Sequence, residues 1–381
     1  MTSTPDEQSP LLTHCPETLP AKAYFDQTWY EQERAAIWAK NWIYVARRDS
    51  FTARTIRKVD IADDSILIAC DEAGRLSAFH NTCRHRGAAL CSSDQQDYSG
   101  RLIRCPNHAW AYDNDGALVS TGFATPTGDF DKRQHSLFAV AMRDWNGCIF
   151  VCLAEAPPAF KPDLGQDALD NWPMAQLVTG HVLEKHLACN WKVFWENYNE
   201  CLHCPGIHPS LSDMVPIYRK GLMSEPEDPS YVPGRPQGSA LKQGACSWTV
   251  NGKACGLEFP DLTRAQRATA HNFVTLYPTA YLVAHVDYVR IVSLLPLGPE
   301  QTQLRAEWLF SPQTLAHPDF DLASVTDFAT TVLLEDGDAC EMNQRGLRSS
   351  RYKAGRLMPQ EFDIFAFHQW VRAQLDPKAA K

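Results

Sequence analysis

Long apolar runs are missing from this chain. No stretch reaches the roughly eighteen consecutive apolar residues that a membrane-spanning helix requires, so a membrane protein is not expected. A secretory start is missing too: MTSTPDEQSP has neither a basic n-region nor an apolar h-region. Excess basic charge is absent, since the formal net charge is -9, which argues against a nucleic-acid partner because phosphates demand a basic patch. The thirteen cysteines are odd in number and scattered over a long chain. Without a secretory address they do not read as a disulfide framework; a reducing, cytoplasmic setting is expected, with some cysteines as metal ligands and the rest buried. Internal repeats, low-complexity tracts and any flavin or ferredoxin segment are also lacking. What remains is an ordinary globular composition, 44% hydrophobic and 21% charged over 381 residues, enough for two or three domains with their own cores.

Residues 1–20 carry Pro, Ser and Thr with little apolar pattern and read as a mobile tail. Over 21–42, YFDQTWYEQERAAIWAKNW places aromatic and apolar residues at helical spacing, which predicts one or two helices. From 43 to 160 the texture changes to short alternating runs, IRKVDI, SILIAC, LSAFH, RLIRC, ALVST, FAVAMRDW and CIFVCLA, separated by turn signals such as DEAGR, DNDGA and DWNGC. That pattern predicts a compact all-β domain. APPAFKPDLG reads as a linker at about 155–165, and a second, α+β domain follows over 165–381. It opens with a helix over 191–203 and continues through a Pro- and Gly-rich excursion over 212–245 that resembles a mobile loop or lid. The strand-like runs CSWTV, NFVTLYP, AYLVAHV, YVRIVSLLPL and QLRAEWLF come next, then a long helix over 321–350 and a short amphipathic one in PQEFDIFAFHQWVRAQL.

Two constellations carry chemistry. In ACNWKVFWENYNECLHCPGIHPSLS, Glu200 precedes His203 by three residues and His208 follows by five. On a helix the first two share a face, and Pro205–Gly206 offers a break at which His208 swings back. Two imidazoles with a carboxylate from elsewhere would make the facial triad suited to non-haem Fe(II) and oxygen; the same histidines read equally well as helix-end residues bonded to carbonyls. In the β domain, TCRHRG pairs Cys83 with His85 and CPNHAW pairs Cys105 with His108. Structural zinc sites usually open with two cysteines two to four residues apart. Cys-x-His on one turn and Cys-x-x-His on another supply two thiolates and two imidazoles, the ligand set of a Rieske [2Fe-2S] centre. Arg84, Gly87, Pro106 and Trp110 are read as residues that shape and shield these loops.

With those residues in place, the chain resembles the catalytic α subunits of Rieske non-haem iron oxygenases over nearly its whole length. The likeness runs through CRHRG, CPNHAW, the NWK...EN..E..H....H segment and the late acidic stretch LLEDGDACE. It implies a Rieske β domain followed by a helix-grip domain, and a third iron ligand at Asp336, with Glu335 and Asp338 as competing carboxylates. It also implies a homotrimeric ring in which a carboxylate, here Glu200, bridges His108 of one subunit and His203 of the next. Ring-hydroxylating members usually carry Asp at that place, and the glutamate together with NECLHCPGIHPSL most resembles the branch acting on glycine betaine, choline and carnitine.

The expected activity is therefore hydroxylation or N-demethylation of a betaine-like quaternary ammonium compound with O2, electrons coming from NAD(P)H through a separate flavin and iron-sulfur reductase. An aromatic-acid or ring hydroxylase, or an O-demethylase, is the alternative on the same scaffold. An onium group is recognised by aromatic faces; Tyr277, Tyr281, Tyr288, Trp308 and Phe310 are candidate walls, each also explicable as strand core. His285 reads as a bonded strand histidine.

Overall fold

The computed structural model describes residues 10–61, 63–160, 169–228, 230–231 and 240–376. It divides into two compact units, Arg34–Lys161 and a larger one made of Met1–Glu33 with Pro162–Lys381.

The smaller unit is built from ten short strands: β1 (Ile43–Arg47), β2 (Thr55–Ile61), β3 (Asp64–Cys70), β4 (Leu76–His80), β5 (Gln95–Asp97), β6 (Ile103–Arg104), β7 (Ala111–Tyr112), β8 (Leu118–Ser120), β9 (Ala141–Trp145) and β10 (Cys148–Cys152). They form three antiparallel sheets ordered β1-β10-β9, β4-β3-β2-β5 and β6-β7-β8. Ile56, Leu67, Phe79, Leu90, Ile103 and Tyr112 close one core, and Cys83 and Cys105 sit in the same cluster. The turns that carry these cysteines are therefore backed by packed side chains, which fixes their geometry more firmly than a free loop could.

In the larger unit, β11 (Val178–Leu187), β12 (His271–Leu276), β13 (Ala280–His285), β14 (Val289–Gly298) and β15 (Gln301–Phe310) form an antiparallel sheet ordered β11-β15-β14-β13-β12. The long helix Leu322–Leu347 starts at Asp321, whose carboxylate accepts from the Ser324 N–H. Val325, Phe328, Ala329, Val332, Leu333, Cys340 and Leu347 form its buried stripe at helical spacing. Gly337 lies so close to β11 that a Cβ there would stand 3.0 Å from Leu187, which lets helix and strand approach. Among the described residues no helix is long and apolar enough to cross a membrane.

Several expectations are corrected. The tail expected over 1–20 does not extend through residues 10–20: the Leu12 N–H donates to the Pro359 carbonyl, and Leu19 is buried. The helix expected over 191–203 spans only Trp191–Tyr198. CSWTV is not a strand; Ser247, Trp248 and Thr249 are buried in a loop where the Cys246 and Ser247 N–H groups both donate to the Gly252 carbonyl and Thr249 donates to the Lys253 carbonyl. Conversely, VTGHVLEKHL forms β11, whose partly exposed residues hide the alternation that marks a strand. The linker at 155–165 and the excursion over 212–245 lie partly outside the described residues. Within the latter, Met214, Tyr218, Leu222 and Glu227 are buried, so its first half is packed rather than lid-like.

One deep polar cluster ties the N-terminal segment to the helix Trp191–Tyr198 of the same unit. Glu33 and Lys192 are both fully buried, with Oε1 and Nζ 2.6 Å apart. Trp29 and Trp191 donate their indole N–H groups to the same carboxylate. Burial pushes the Glu33 pKa up and the Lys192 pKa down, each opposed by the partner.

Candidate metal centres and the cavity beside them

Helix Trp191–Tyr198 is capped by Asn190, whose side chain accepts from the Lys192 N–H. It ends before Glu200, and the chain then turns through Cys201–His203 into a second short helix, Cys204–Ile207. The break expected at Pro205–Gly206 therefore falls upstream. Proline is tolerated here because it occupies the first turn, where its missing N–H has no intrahelical acceptor. The turn brings Cys201 and Cys204 within a Cα–Cα distance of 5.0 Å as a disulfide, where the expectation is of cysteines that are metal ligands or simply buried; three-residue spacing across a tight turn supplies the proximity such a bond needs.

The turn delivers both imidazoles to one carboxylate of the long helix. His203, His208 and Asp336 each offer a donor atom, all within 4.8 Å of one another. His208 Nε2 lies 2.9 Å from Asp336 Oδ1 and His203 Nε2 lies 3.5 Å from it. Each imidazole uses its other nitrogen on a second carboxylate: His203 Nδ1 lies 2.5 Å from Glu200 Oε1, and His208 Nδ1 lies 2.8 Å from Glu335 Oε2. With Nδ1–H donating in both, each Nε2 lone pair is left for a cation. Asn197 Nδ2 donates to Asp336 Oδ1 at 2.6 Å.

Of the competing carboxylates, Glu335 thus orients an imidazole, while Asp338 is exposed.

The electrostatics favour positive charge at the meeting point. Burial alone would lower the His203 pKa, but the carboxylates of Asp336 and Glu200 overcome it and push the value up to about 9. His208 shifts upward as well, burial again opposing and Asp336 prevailing. Burial would raise the Asp336 pKa, yet the two imidazoles hold it well below the usual carboxylate range. A divalent cation satisfies the same field, and two imidazoles with one carboxylate form the donor set that fits Fe(II).

In the smaller unit, Cys83 follows β4 and Cys105 follows β6, each buried. The Cys83 N–H donates to the Ala88 carbonyl and the Cys105 N–H to the Trp110 carbonyl, so both cysteines are held by their own loops. Tyr112 Oη lies 3.2 Å from Cys83 Sγ and accepts from the Arg84 N–H. His85 and His108 have ring centroids 4.8 Å apart, and Trp110 stacks on His85 at 4.8 Å with planes 14° apart. Gly87 adopts φ +75° at the loop tip, and Arg84 lies over the Phe138 ring. Two buried thiols opposite two exposed imidazoles match the asymmetric donor set of a Rieske cluster. Ala109, beside His108, holds a left-handed φ of +58°, and Gly122 packs against the His108 carbonyl so closely that any Cβ would collide with it.

A cavity opens beside the His203–His208–Asp336 cluster, walled in part by Tyr198, Tyr218, Trp248, Phe273 and Tyr281. Tyr198 and Tyr281 stack with centroids 4.0 Å apart. Of the aromatic candidates from the sequence, Tyr281 alone is among these wall residues. Tyr277 accepts from and donates to Asn199, while Tyr288, Trp308 and Phe310 are fully buried core. His285 is buried and stacks on Tyr288 at 4.3 Å. Tyr198, Trp248, Asn197 and Arg290 were not singled out in the sequence. Asn197 alone had a visible signal, in the EN that precedes Glu200.

These two centres, a β unit with paired Cys-His turns and an α+β unit with a two-histidine, one-carboxylate cluster, define a Rieske oxygenase. The chain matches the ring hydroxylating alpha subunit (catalytic domain) family over residues 174–377 and the Rieske [2Fe-2S] domain over 41–131; it belongs to the Rieske non-haem iron oxygenases. The Rieske domain carries a [2Fe-2S] cluster and the catalytic domain a non-haem iron that uses O2. Among curated relatives, the glycine betaine monooxygenase oxygenase subunit of Chromohalobacter salexigens is 28% identical, covering 95% of this chain and 87% of that one. The carnitine monooxygenase oxygenase subunit of Escherichia coli K12 is 31% identical over 53% of this chain and 55% of its own. Among solved structures, the quaternary ammonium Rieske monooxygenase CntA aligns with a TM-score of 0.72 at 21% identity, covering 94% of this chain and 96% of that one. Naphthalene 1,2-dioxygenase from a Rhodococcus species aligns at 0.69 and 18% identity, covering 95% of each chain. At such identity the structural matches establish the shared fold.

Proposed function

We propose that this chain is the oxygenase component of an enzyme that hydroxylates an N-methyl group of a quaternary ammonium compound and thereby removes it. In this reading Cys83, Cys105, His85 and His108 hold the cluster, and His203, His208 and Asp336 hold the iron. The bound irons supply oxygen activation and one-electron relay. The observation that carries the substrate class is the wall of stacked aromatics immediately beside the triad, since an onium group accepts no hydrogen bond and is bound by ring faces.

The balance of the reaction is R–N(CH3)3+ with O2, two electrons and two protons giving the hydroxymethyl ammonium and water. The hydroxymethyl group then leaves as formaldehyde, with loss of a proton, to give the dimethylamine. The electrons come from NAD(P)H through a separate reductase. Asn197 fixes the Asp336 carboxylate, Glu335 fixes the His208 ring, and Glu200 fixes His203. The aromatic walls exclude water from the N-methyl groups.

Assembly as a homotrimer would let Glu200 bridge the His203 of its own chain to the His108 of a neighbouring copy.

The test supplies purified holoenzyme and a surrogate reductase with glycine betaine, carnitine, choline and a set of aromatic carboxylates, and reads formaldehyde released against O2 consumed. Near-stoichiometric formaldehyde from onium compounds is expected. Oxygen uptake coupled to aromatic carboxylates alone would overturn the reading.

A further inference from the structure

A second feature of the cavity says more about its ligand than the aromatic walls do. Arg290, on β14, lines the cavity and is only 4% exposed. Its Nε has no hydrogen-bond partner, and among the described residues no carboxylate forms an ion pair with it. Arg47, just as buried, also leaves its Nε without a hydrogen bond, but unlike Arg290 it has a carboxylate for its charge: Asp49 faces it at 3.6 Å, and its Nη1 donates to the Asn146 carbonyl. A buried guanidinium without an anion is costly in any fold, and guanidinium is the side chain whose planar fork matches a carboxylate.

Charge makes the requirement stricter. A cation fixed in the cavity repels the onium group that the aromatic walls attract, unless an anion stands between them. We infer that the substrate is a zwitterion whose carboxylate is taken by Arg290 while its N-methyl groups point to the His203–His208–Asp336 cluster. This deepens, and rests on, the quaternary ammonium reading above. Arg290 is on this account a specificity-determining residue: it selects amino-acid betaines and rejects onium alcohols that lack the acid.

The magnitude expected follows from the penalty for leaving a buried polar group unpaired, which in sites built to bind one substrate group reaches about 10⁴-fold discrimination and commonly exceeds 100-fold.

The experiment compares the holoenzyme with Arg290→Met and Arg290→Lys, each checked for unchanged iron content and visible spectrum. kcat and KM are measured for glycine betaine, carnitine and choline by formaldehyde release, and glycine betaine binding to the anaerobic enzyme is measured by calorimetry. The parent is expected to favour at least one of the two acids over choline by about 100-fold or more in kcat/KM. Arg290→Met should lose most of that preference, chiefly through a raised KM and weakened glycine betaine binding, with choline turnover affected far less than that of the acids. Arg290→Lys should recover part of it.

Equal use of choline and both acids by the parent, or an equal loss for all three in Arg290→Met, overturns the role of Arg290 while leaving N-demethylation standing. Consumption of aromatic carboxylates with no onium turnover is a different failure, and it removes the parent reading as well. Should Arg290→Met not retain its metals, the parent's ratio of acid to choline turnover decides alone.

Discussion

His208 Nε2 and Asp336 Oδ1 lie 2.9 Å apart although 128 residues separate them in the sequence. Neither could be placed by the other from local pattern, and the contact exists because the turn after Tyr198 and the middle of the long helix face the same cavity. His203 completes the set within 4.8 Å.

Removal of that carboxylate tests the assignment directly. Asp336→Ala should lower the metal content from roughly three irons per chain to roughly two, leaving the visible absorption of the cluster in place. Iron analysis with absorption spectra of the same sample is the measurement. Retention of the third iron would mean that another donor replaces Asp336.

Glu200 tests a different link. Its carboxylate holds the His203 ring without belonging to the triad, so Glu200→Ala should keep both metals and still lose turnover by about 10–100-fold or more, the range seen when partners of metal ligands are removed. Single-turnover kinetics of the pre-reduced enzyme would show whether the loss lies in reduction of the iron site. A parent-like rate removes the proposed bridge.

Gly122 has no donor atom, yet its replacement should cost the cluster. At φ +66° an alanine pays about 1–2 kcal/mol of backbone strain, and its methyl group would also enter the space of the His108 carbonyl. Gly122→Ala is expected to reduce the absorption of the cluster while the mononuclear site still loads. Electron paramagnetic resonance of the reduced protein distinguishes a distorted cluster from a missing one.

The buried pair in the larger unit predicts an asymmetry in stability. Glu33→Ala strands the Lys192 ammonium, and should destabilise the protein by about 3–5 kcal/mol. Replacing both residues together, Glu33→Leu with Lys192→Met, should be markedly less damaging, because no uncompensated charge remains. Denaturant unfolding of the two variants decides; equal losses would show that the indole hydrogen bonds to Glu33, rather than the ion pair, hold this region.

The proposed metal chemistry is legible in the sequence because both candidate centres are written as close spacings on turns. Cys83 with His85, Cys105 with His108, and His203 with His208 each need few intervening residues, so local pattern carries them. Asp336 was reached through family resemblance, since Glu335, Asp336 and Asp338 crowd that stretch and only the helical phase tells which one faces inward. Tyr198, Trp248 and Arg290 were not legible: they converge from a helix end, a loop and a strand, and residue type alone does not separate a cavity wall from core. CSWTV failed for a related reason. Its aromatic and β-branched residues are buried by loop packing, which local propensity cannot distinguish from burial in a sheet.

Among the described residues β11 has a single strand neighbour, β15, and stands at one side of the five-stranded sheet. A strand at the side of a sheet can invite another chain to extend it. Here Glu184, Lys185 and His186 crowd its second half, and a register shift between Thr179 and His181 disturbs the first. Charged side chains and a disturbed register are features that discourage strand-to-strand joining of two copies on this side of the sheet.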